Sequence, residues 1–282
     1  MQAEMDKGSR KNQRAGLAPW KWLLLPLMAS VILMAYLWAG AGRGFQDPES
    51  ARIIFWHVPM AILSMVWFWV AAFYSGRYLW KGQEFDDVRA SRAAEVGLLL
   101  TILATVTGAI FSKMQWAGGF NTPWYVGYWQ WDPQQTAIVV VILFFMAYFG
   151  LRMSVEDERL RARLSAVYAL VGGVAVPFCY YVLPKLPIFD PSIHPTNEVL
   201  RGKMSLDYRV TFWLSTLGFL GITLWAYQLK VRLARLEWAR TQAAGPDDEG
   251  RVEAVRAAGP DRPDWALGRE QPEAVRKMTA EG

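Results

Sequence analysis

Six long apolar tracts dominate this sequence, and each is long enough to cross a lipid bilayer as an α-helix. A helix rises about 1.5 Å per residue, so about 20 predominantly apolar residues cross the hydrocarbon core. The sequence therefore predicts an all-α integral membrane protein. The expected spans are about 21–42, 57–79, 94–113, 134–152, 163–183 and 208–230.

The distribution of Lys and Arg predicts the orientation of these spans. Seventeen basic residues flank the tracts on the side that holds both termini, and seven flank them on the other side. Basic residues are enriched in cytoplasmic loops, so both termini are expected in the cytoplasm. This gives a cytoplasmic N-terminal segment 1–20, a six-helix membrane domain 21–230 and a cytoplasmic tail 231–282. The tail is rich in Ala, Gly, Pro and alternating charge, which predicts disorder.

Composition removes several classes of function. The single cysteine, Cys179, excludes an intramolecular disulfide and a CxxC pair. Charged residues are nearly absent from the expected membrane interior, which argues against an ion path. The net charge of +5 comes with basic residues that flank the spans, so membrane lipid is an expected partner and nucleic acid is not.

An unusually aromatic loop, residues 114–133, lies on the outward side between the third and fourth spans. Its second half reads TPWYVGYWQWDP, and six Trp and Tyr residues fall between positions 116 and 131: Trp116, Trp124, Tyr125, Tyr128, Trp129 and Trp131. Interfacial enrichment explains scattered Trp and Tyr, but not this density. Broad rings stack well on a flat apolar ligand such as a porphyrin. Gly118, Gly119 and Gly127 are expected to let the backbone approach that ligand closely.

The only two histidines, His57 and His194, both fall in outward segments at the membrane boundary. The alternative for each is an interfacial residue with a satisfied hydrogen bond. Two imidazoles on the same face as the aromatic loop favour metal ligation, and paired imidazoles suit haem iron. His57 and His194 are therefore candidate ligands of haem iron.

Two further patterns have structural interpretations. Asp132 precedes Pro133 at the start of the fourth span, which predicts an N-cap, and Asp132 is also a candidate for orienting a ligand. Ala104, Gly108 and Ser112 repeat at every fourth position of the third span, which predicts a helix-packing face.

These residues resemble the CcmC family, haem-handling proteins of cytochrome c maturation that carry a tryptophan-rich WWD domain. The resemblance rests on GYWQWDP, on HVP at the second span and on the two outward histidines, and it covers about residues 20–230. It implies non-covalent haem b at the periplasmic face of the bacterial inner membrane. It implies that His57 and His194 are the axial ligands of the haem iron. The implied haem site consists of His57, His194, Trp116, Trp124, Tyr128, Trp129, Trp131 and Asp132.

The resemblance also implies partners and excludes catalysis by this chain. It implies delivery of haem to the chaperone CcmE, together with CcmD and with the ABC-type subunits CcmA and CcmB. The sequence has no GxxxxGK[ST] motif, so a partner would supply the ATPase activity and this chain is not expected to be an enzyme.

One departure from the family leaves the haem propionates without an obvious partner. Gln134 and Gln135 stand where a basic residue commonly follows the WD pair in the family. The alternatives are Lys113, Lys185, Arg201 and Lys203.

Other functions stay open at this stage. They are an electron-transfer cytochrome, a haem lyase component similar to CcmF or CcsA, a solute transporter, and a non-haem metal site. The last would join the two histidines to a carboxylate from Asp132, Asp190 or Glu198.

Overall fold

The structure, a computed structural model, describes residues 18–42, 45–186 and 204–243. Within these residues it contains helices and no strand, and six helices are long and apolar enough to cross a membrane, which confirms the predicted fold class. They are α1 (Pro19–Leu33), α2 (Ile54–Lys81), α3 (Glu84–Trp116), α4 (Pro133–Ser154), α5 (Glu158–Pro177) and α6 (Leu206–Ala243). Short π-helical turns extend α1 over Met34–Trp38 and α5 over Phe178–Val182.

Two helices are longer than the apolar tracts that predicted them. Helix α3 begins at Glu84 instead of 94, with three acidic residues in its first turn, where the helix dipole favours negative charge. Helix α6 continues to Ala243, past the expected boundary at 230, because Leu, Ala and Arg are good helix formers outside the membrane too. Residues up to Val231 form one compact unit. The remaining residues of the predicted tail, 244–282, lie outside the described residues.

Aromatic side chains fill the middle of the bundle. Phe68 of α2 stacks on Phe145 of α4 with ring centroids 3.7 Å apart, and both rings are fully buried. Glycines make room for them: a Cβ on Gly97 of α3 would lie 2.7 Å from Phe68, and one on Gly172 of α5 would lie 2.9 Å from Phe145. Close packing of this kind fixes the register of α2 to α5.

The first and last helices pack on each other beside this core. A Cβ on Gly218 of α6 would lie 2.3 Å from the Met28 sulfur, and one on Gly221 would lie 2.3 Å from Leu24 of α1. Small residues let two transmembrane backbones approach closely. Helix α6 also contacts α2, because the Trp67 and Tyr227 rings are 4.9 Å apart.

Ion pairs join the helices at the end where α2 meets α3, called here the charged end. Arg152 of α4 donates two hydrogen bonds to Asp87 of α3, at 2.6 and 2.8 Å. Lys230 of α6 lies 2.9 Å from Glu95, also on α3. The fully buried Asp86 is paired with Arg77 and Arg89. The opposite end of the bundle carries the loops in which the candidate site residues fall.

Candidate functional site

Three segments meet at this opposite end, called here the loop end: residues 39–53, 117–132 and 204–207. The Gln115 side chain, in the last turn of α3, accepts from the Gln46 backbone N–H at 2.9 Å and donates to the Asp47 carbonyl at 2.6 Å. The Gly40 N–H donates to the Asp207 carboxylate at 3.0 Å. The first of these segments is therefore joined to the aromatic loop, predicted over residues 114–133, through Gln115.

His57 lies in the first turn of α2, half-buried against α3. Its Nδ1 is 2.8 Å from the Ala104 carbonyl oxygen and 3.1 Å from the Thr107 hydroxyl. A Cβ on Gly108 would lie 2.8 Å from the His57 Cε1. Gly108 precedes the end of α3 at Trp116 by about 12 Å, which is about two helical turns. The imidazole thus sits between two helices, about two turns from the residue at which the loop begins.

His194, the other predicted ligand, lies outside the described residues, as do Asp190, Glu198, Arg201 and Lys203. Its role as a ligand stays a prediction.

A buried lysine holds the first half of the aromatic loop. The Lys113 ammonium donates to the Thr122 carbonyl at 3.2 Å, to the Thr122 hydroxyl and to the Pro123 carbonyl at 2.8 Å. It also lies 5.9 Å from the centroid of the Tyr128 ring. An ammonium group has three N–H donors, and these three acceptors use them all. Lys113 therefore secures the loop and is a poor candidate for the propionate partner considered from sequence.

Ser112 and Gly127 hold the middle of the loop against α3. The Ser112 hydroxyl donates to the Gly127 carbonyl at 3.1 Å. Gly127 has φ +87°, and a Cβ there would lie 2.1 Å from the Cβ of Ala117. The close approach expected of this glycine is thus an approach to the protein's own helix.

Most rings in the second half of the loop are exposed. Trp124 is 80% exposed and Trp131 is 74% exposed, and Tyr125 and Tyr128 are exposed as well. Trp129 packs edge-on to Trp131 with centroids 6.0 Å apart. The Trp129 Nε1 is buried and has no hydrogen-bond partner among the described residues.

Trp116 differs from the exposed rings of Trp124 and Trp131, because it packs inward. It is half-buried, with its ring edge-on to Phe111 at 5.4 Å, and Phe111 packs on Phe45 of the first segment at 6.1 Å. The last turns of α3 therefore contact the first segment through Phe111, on which Trp116 packs.

Asp132 caps α4, as predicted. It is buried and accepts from the Gln134 N–H at 2.8 Å. Gln135 adds a contact that the sequence did not indicate, since its side chain accepts from the Gln130 N–H at 2.8 Å. The backbone is therefore fixed on both sides of Trp131, which adopts φ +53°, a conformation unusual for a residue other than glycine.

The described residues provide two features that a haem requires, namely stacking surface and an imidazole. Exposed rings provide the first, and His57 provides the second. The contact of the His57 Nδ1 with the Ala104 carbonyl, which can only accept, fits a proton on that nitrogen. No group of three His, Cys, Asp or Glu side chains gathers in the described part of the chain, and His194, Asp190 and Glu198 of the non-haem alternative lie outside it.

Fold and site together define a polytopic helical membrane protein in which one helix, α3, holds both an exposed aromatic loop and a histidine. A family model described as Heme exporter protein C matches residues 8–244, which is most of the chain. The chain belongs to the Heme exporter protein C family, as the sequence resemblance predicted.

Individual relatives agree with the family model. The Heme exporter protein C of Bradyrhizobium diazoefficiens is 32% identical over 184 residues, which are 64% of this chain and 65% of that protein. The protein of the same description from Paracoccus denitrificans is 28% identical over 62% of this chain and 72% of its own length. The Escherichia coli K12 protein is 29% identical over 57% of this chain and 62% of its own length. The match thus spans just under two thirds of the first and third of these relatives.

Proposed function

We propose that this protein binds haem at the outer face of the bacterial inner membrane and delivers it to CcmE for cytochrome c maturation. The observation that carries the proposal is that one helix, α3, contacts His57 through Ala104 and holds the aromatic loop through Ser112. Family membership supports haem as the cargo, because the relatives are described as haem exporters.

Each part of the site has a role in this proposal. His57 and His194 would ligate the iron, and the exposed rings of Trp124, Tyr128 and Trp131 would supply stacking surface for the macrocycle. The unpartnered Trp129 N–H suits an acceptor on the cargo. Asp132 fixes the start of α4 beneath the loop, and Trp116 packs on Phe111 at the end of α3.

Haem is bound non-covalently as haem b, so that it can leave. A ligand in the first turn of α2, together with the exposed rings, would present the cargo to an acceptor protein instead of enclosing it in a conduit. This arrangement favours delivery over the electron-transfer and solute-transport alternatives.

CcmD, CcmA and CcmB are the proposed partners, and the ABC subunits would supply the ATPase activity. The loop end faces the periplasm in this proposal, in keeping with the distribution of basic residues.

A transfer assay tests the proposal. The haem-loaded full chain is mixed with haem-free CcmE, and covalent haem on CcmE is followed by haem staining after denaturing electrophoresis. We expect CcmE to acquire haem as the donor loses its Soret absorption. A donor that keeps its haem in the presence of CcmE and the partner subunits would favour the cytochrome alternative. Haem attached to an apocytochrome without CcmE would favour a lyase.

A further inference from the structure

The side chain of His57 occupies a space that exists only because residue 108 is glycine. A Cβ on Gly108 would lie 2.8 Å from Cε1, 3.3 Å from Nδ1 and 3.7 Å from Nε2 of the imidazole. Contacts under 3.0 Å require something to move, and the rigid ring has no flexible end that would yield. The identity of residue 108 therefore determines where the ring lies.

Polar contacts around this space fix which ring nitrogen carries the proton. The Ala104 carbonyl, 2.8 Å from Nδ1, accepts and does not donate. The Thr107 hydroxyl, 3.1 Å from Nδ1, points its own hydrogen toward the Leu103 or Ala104 carbonyl, at 2.9 and 3.0 Å, so it also presents a lone pair. Both neighbours therefore require Nδ1–H. In a neutral ring the lone pair is then on Nε2.

The same stripe of α3 also positions the aromatic loop. Ala104, Gly108 and Ser112 follow each other at every fourth residue, so they lie on one side of the helix. The first two contact His57, and Ser112 donates to Gly127 of the loop. The loop anchor lies about 6 Å, roughly one turn, along the helix from the imidazole. Helix α3 thus fixes the positions of both His57 and the aromatic loop.

We propose that Gly108, the Ala104 carbonyl and the Thr107 hydroxyl form a positioning element that holds His57 in one orientation and as the Nδ1–H tautomer, so that Nε2 is the atom offered to iron. Metal-ligating histidines commonly donate their other ring N–H to such a partner, which orients the ring and raises its basicity. The inference rests on the proposed haem ligation. The tautomer of His57, however, can be measured in the haem-free protein.

The tautomer is tested by nitrogen NMR of the full chain in detergent, labelled with ¹⁵N-histidine and free of haem. The chain has only two histidines, so the His194→Gln variant assigns the signals of His57. We expect the neutral His57 ring to carry its proton on Nδ1. A neutral ring protonated on Nε2 would overturn the proposal. This readout stands even when no haem binds, so it separates the inference from the proposed function.

Gly108→Ala tests the orientation, with Gly150→Ala as the matched control. A Cβ on Gly150, also in a membrane helix, meets nothing within 4 Å. We expect Gly108→Ala to lose the Nδ1–H signature and to weaken haem affinity about 10-fold or more, within the range for partners that orient metal ligands. Gly150→Ala should match the wild type in both. Equal haem affinity in the two variants would contradict the proposal.

Thr107 gives a second test that does not introduce bulk. Thr107→Val keeps the shape and removes the acceptor, so haem affinity should fall by a few-fold, and Thr107→Ser should restore it. If Gly108→Ala fails to fold, Thr107→Val and Thr107→Ser still test whether the contacts of His57 with α3 affect haem affinity. Wild-type affinity and an unchanged His57 tautomer in Thr107→Val would remove the hydroxyl from the positioning element.

Discussion

Backbone strain in the aromatic loop is concentrated at one tryptophan. Trp131 is held at φ +53° while its ring is 74% exposed, so the ring gains little burial in return. A left-handed conformation costs an L-residue about 1–2 kcal/mol. The Gln135 contact to the preceding N–H and the Asp132 cap hold it there. Strain maintained by its surroundings at an exposed ring is typical of a binding site.

Trp131→Gly distinguishes the effect of this residue on stability from its effect on haem binding. Glycine adopts φ +53° without steric cost, so the thermal unfolding midpoint should stay the same or rise. Haem retention should fall because a stacking face is lost. Trp131→Phe is the control, since it keeps a ring on the same strained backbone and should retain more haem than the glycine variant. Undiminished haem retention in Trp131→Gly would exclude the ring from the site.

At the scale of elements, the loop behaves as an extension of α3. The last turns of this helix contribute Ser112, Lys113 and Gln115, and each bonds to a different part of the outer segments. The loop has no regular secondary structure beyond a short turn at Gly119–Asn121. Its shape therefore depends on these side-chain bonds.

Lys113→Met tests that dependence. Methionine approximates the volume of the buried side chain but removes the three donors to Thr122 and Pro123. Hydrogen bonds from charged groups contribute about 1.5–3 kcal/mol each to stability, so we expect the loop to open locally. Hydrogen exchange at residues 122–128 should accelerate, and haem affinity should fall. The exposed Lys185, at the same end of the bundle, gives the control Lys185→Met, which should leave exchange in the loop unchanged.

The helices and the loop were predictable from the sequence to different degrees. Apolar length alone located all six spans, because burial in lipid requires it. It missed the first turns of α3, where Glu84 and its neighbours are charged and stabilised by ion pairs that only the folded bundle supplies. The spacing of Ala104, Gly108 and Ser112 predicted that this face of α3 packs on another element, but not which residue packs there. That residue is His57, and identifying it requires the register of α2 on α3, which no local pattern encodes.

In the whole molecule, the ion pairs that stabilise the fold and the candidate site lie at opposite ends of the helix bundle. Ion pairs lie at the charged end, the aromatic core lies in the middle, and the histidine and loop lie at the other end. Along α3, Asp87 is about 25 Å from Ala104, which receives the His57 hydrogen bond. Changes at the charged end should therefore alter stability without altering the site.

Asp87→Asn tests this separation. It removes the charge opposite Arg152, whose side chain is only 15% exposed, and breaking a buried pair on one side costs about 3 kcal/mol or more. The thermal unfolding midpoint should fall, while the visible spectrum of the haem-loaded protein stays the same. Glu158→Gln is the control, because the Glu158 side chain is 85% exposed and its pair with Arg161 should contribute little. A changed haem spectrum in Asp87→Asn would show that the two ends are coupled.

Electron paramagnetic resonance and visible absorption of the oxidised, haem-loaded protein test whether His57 and His194 are the axial ligands of a haem. The wild type, His57→Ala and His194→Ala are compared, with and without added imidazole. We expect a low-spin six-coordinate haem in the wild type, a high-spin haem or lost haem in each variant, and recovery of the low-spin signal with imidazole. A low-spin spectrum that is unchanged in either variant would rule out the bis-histidine site.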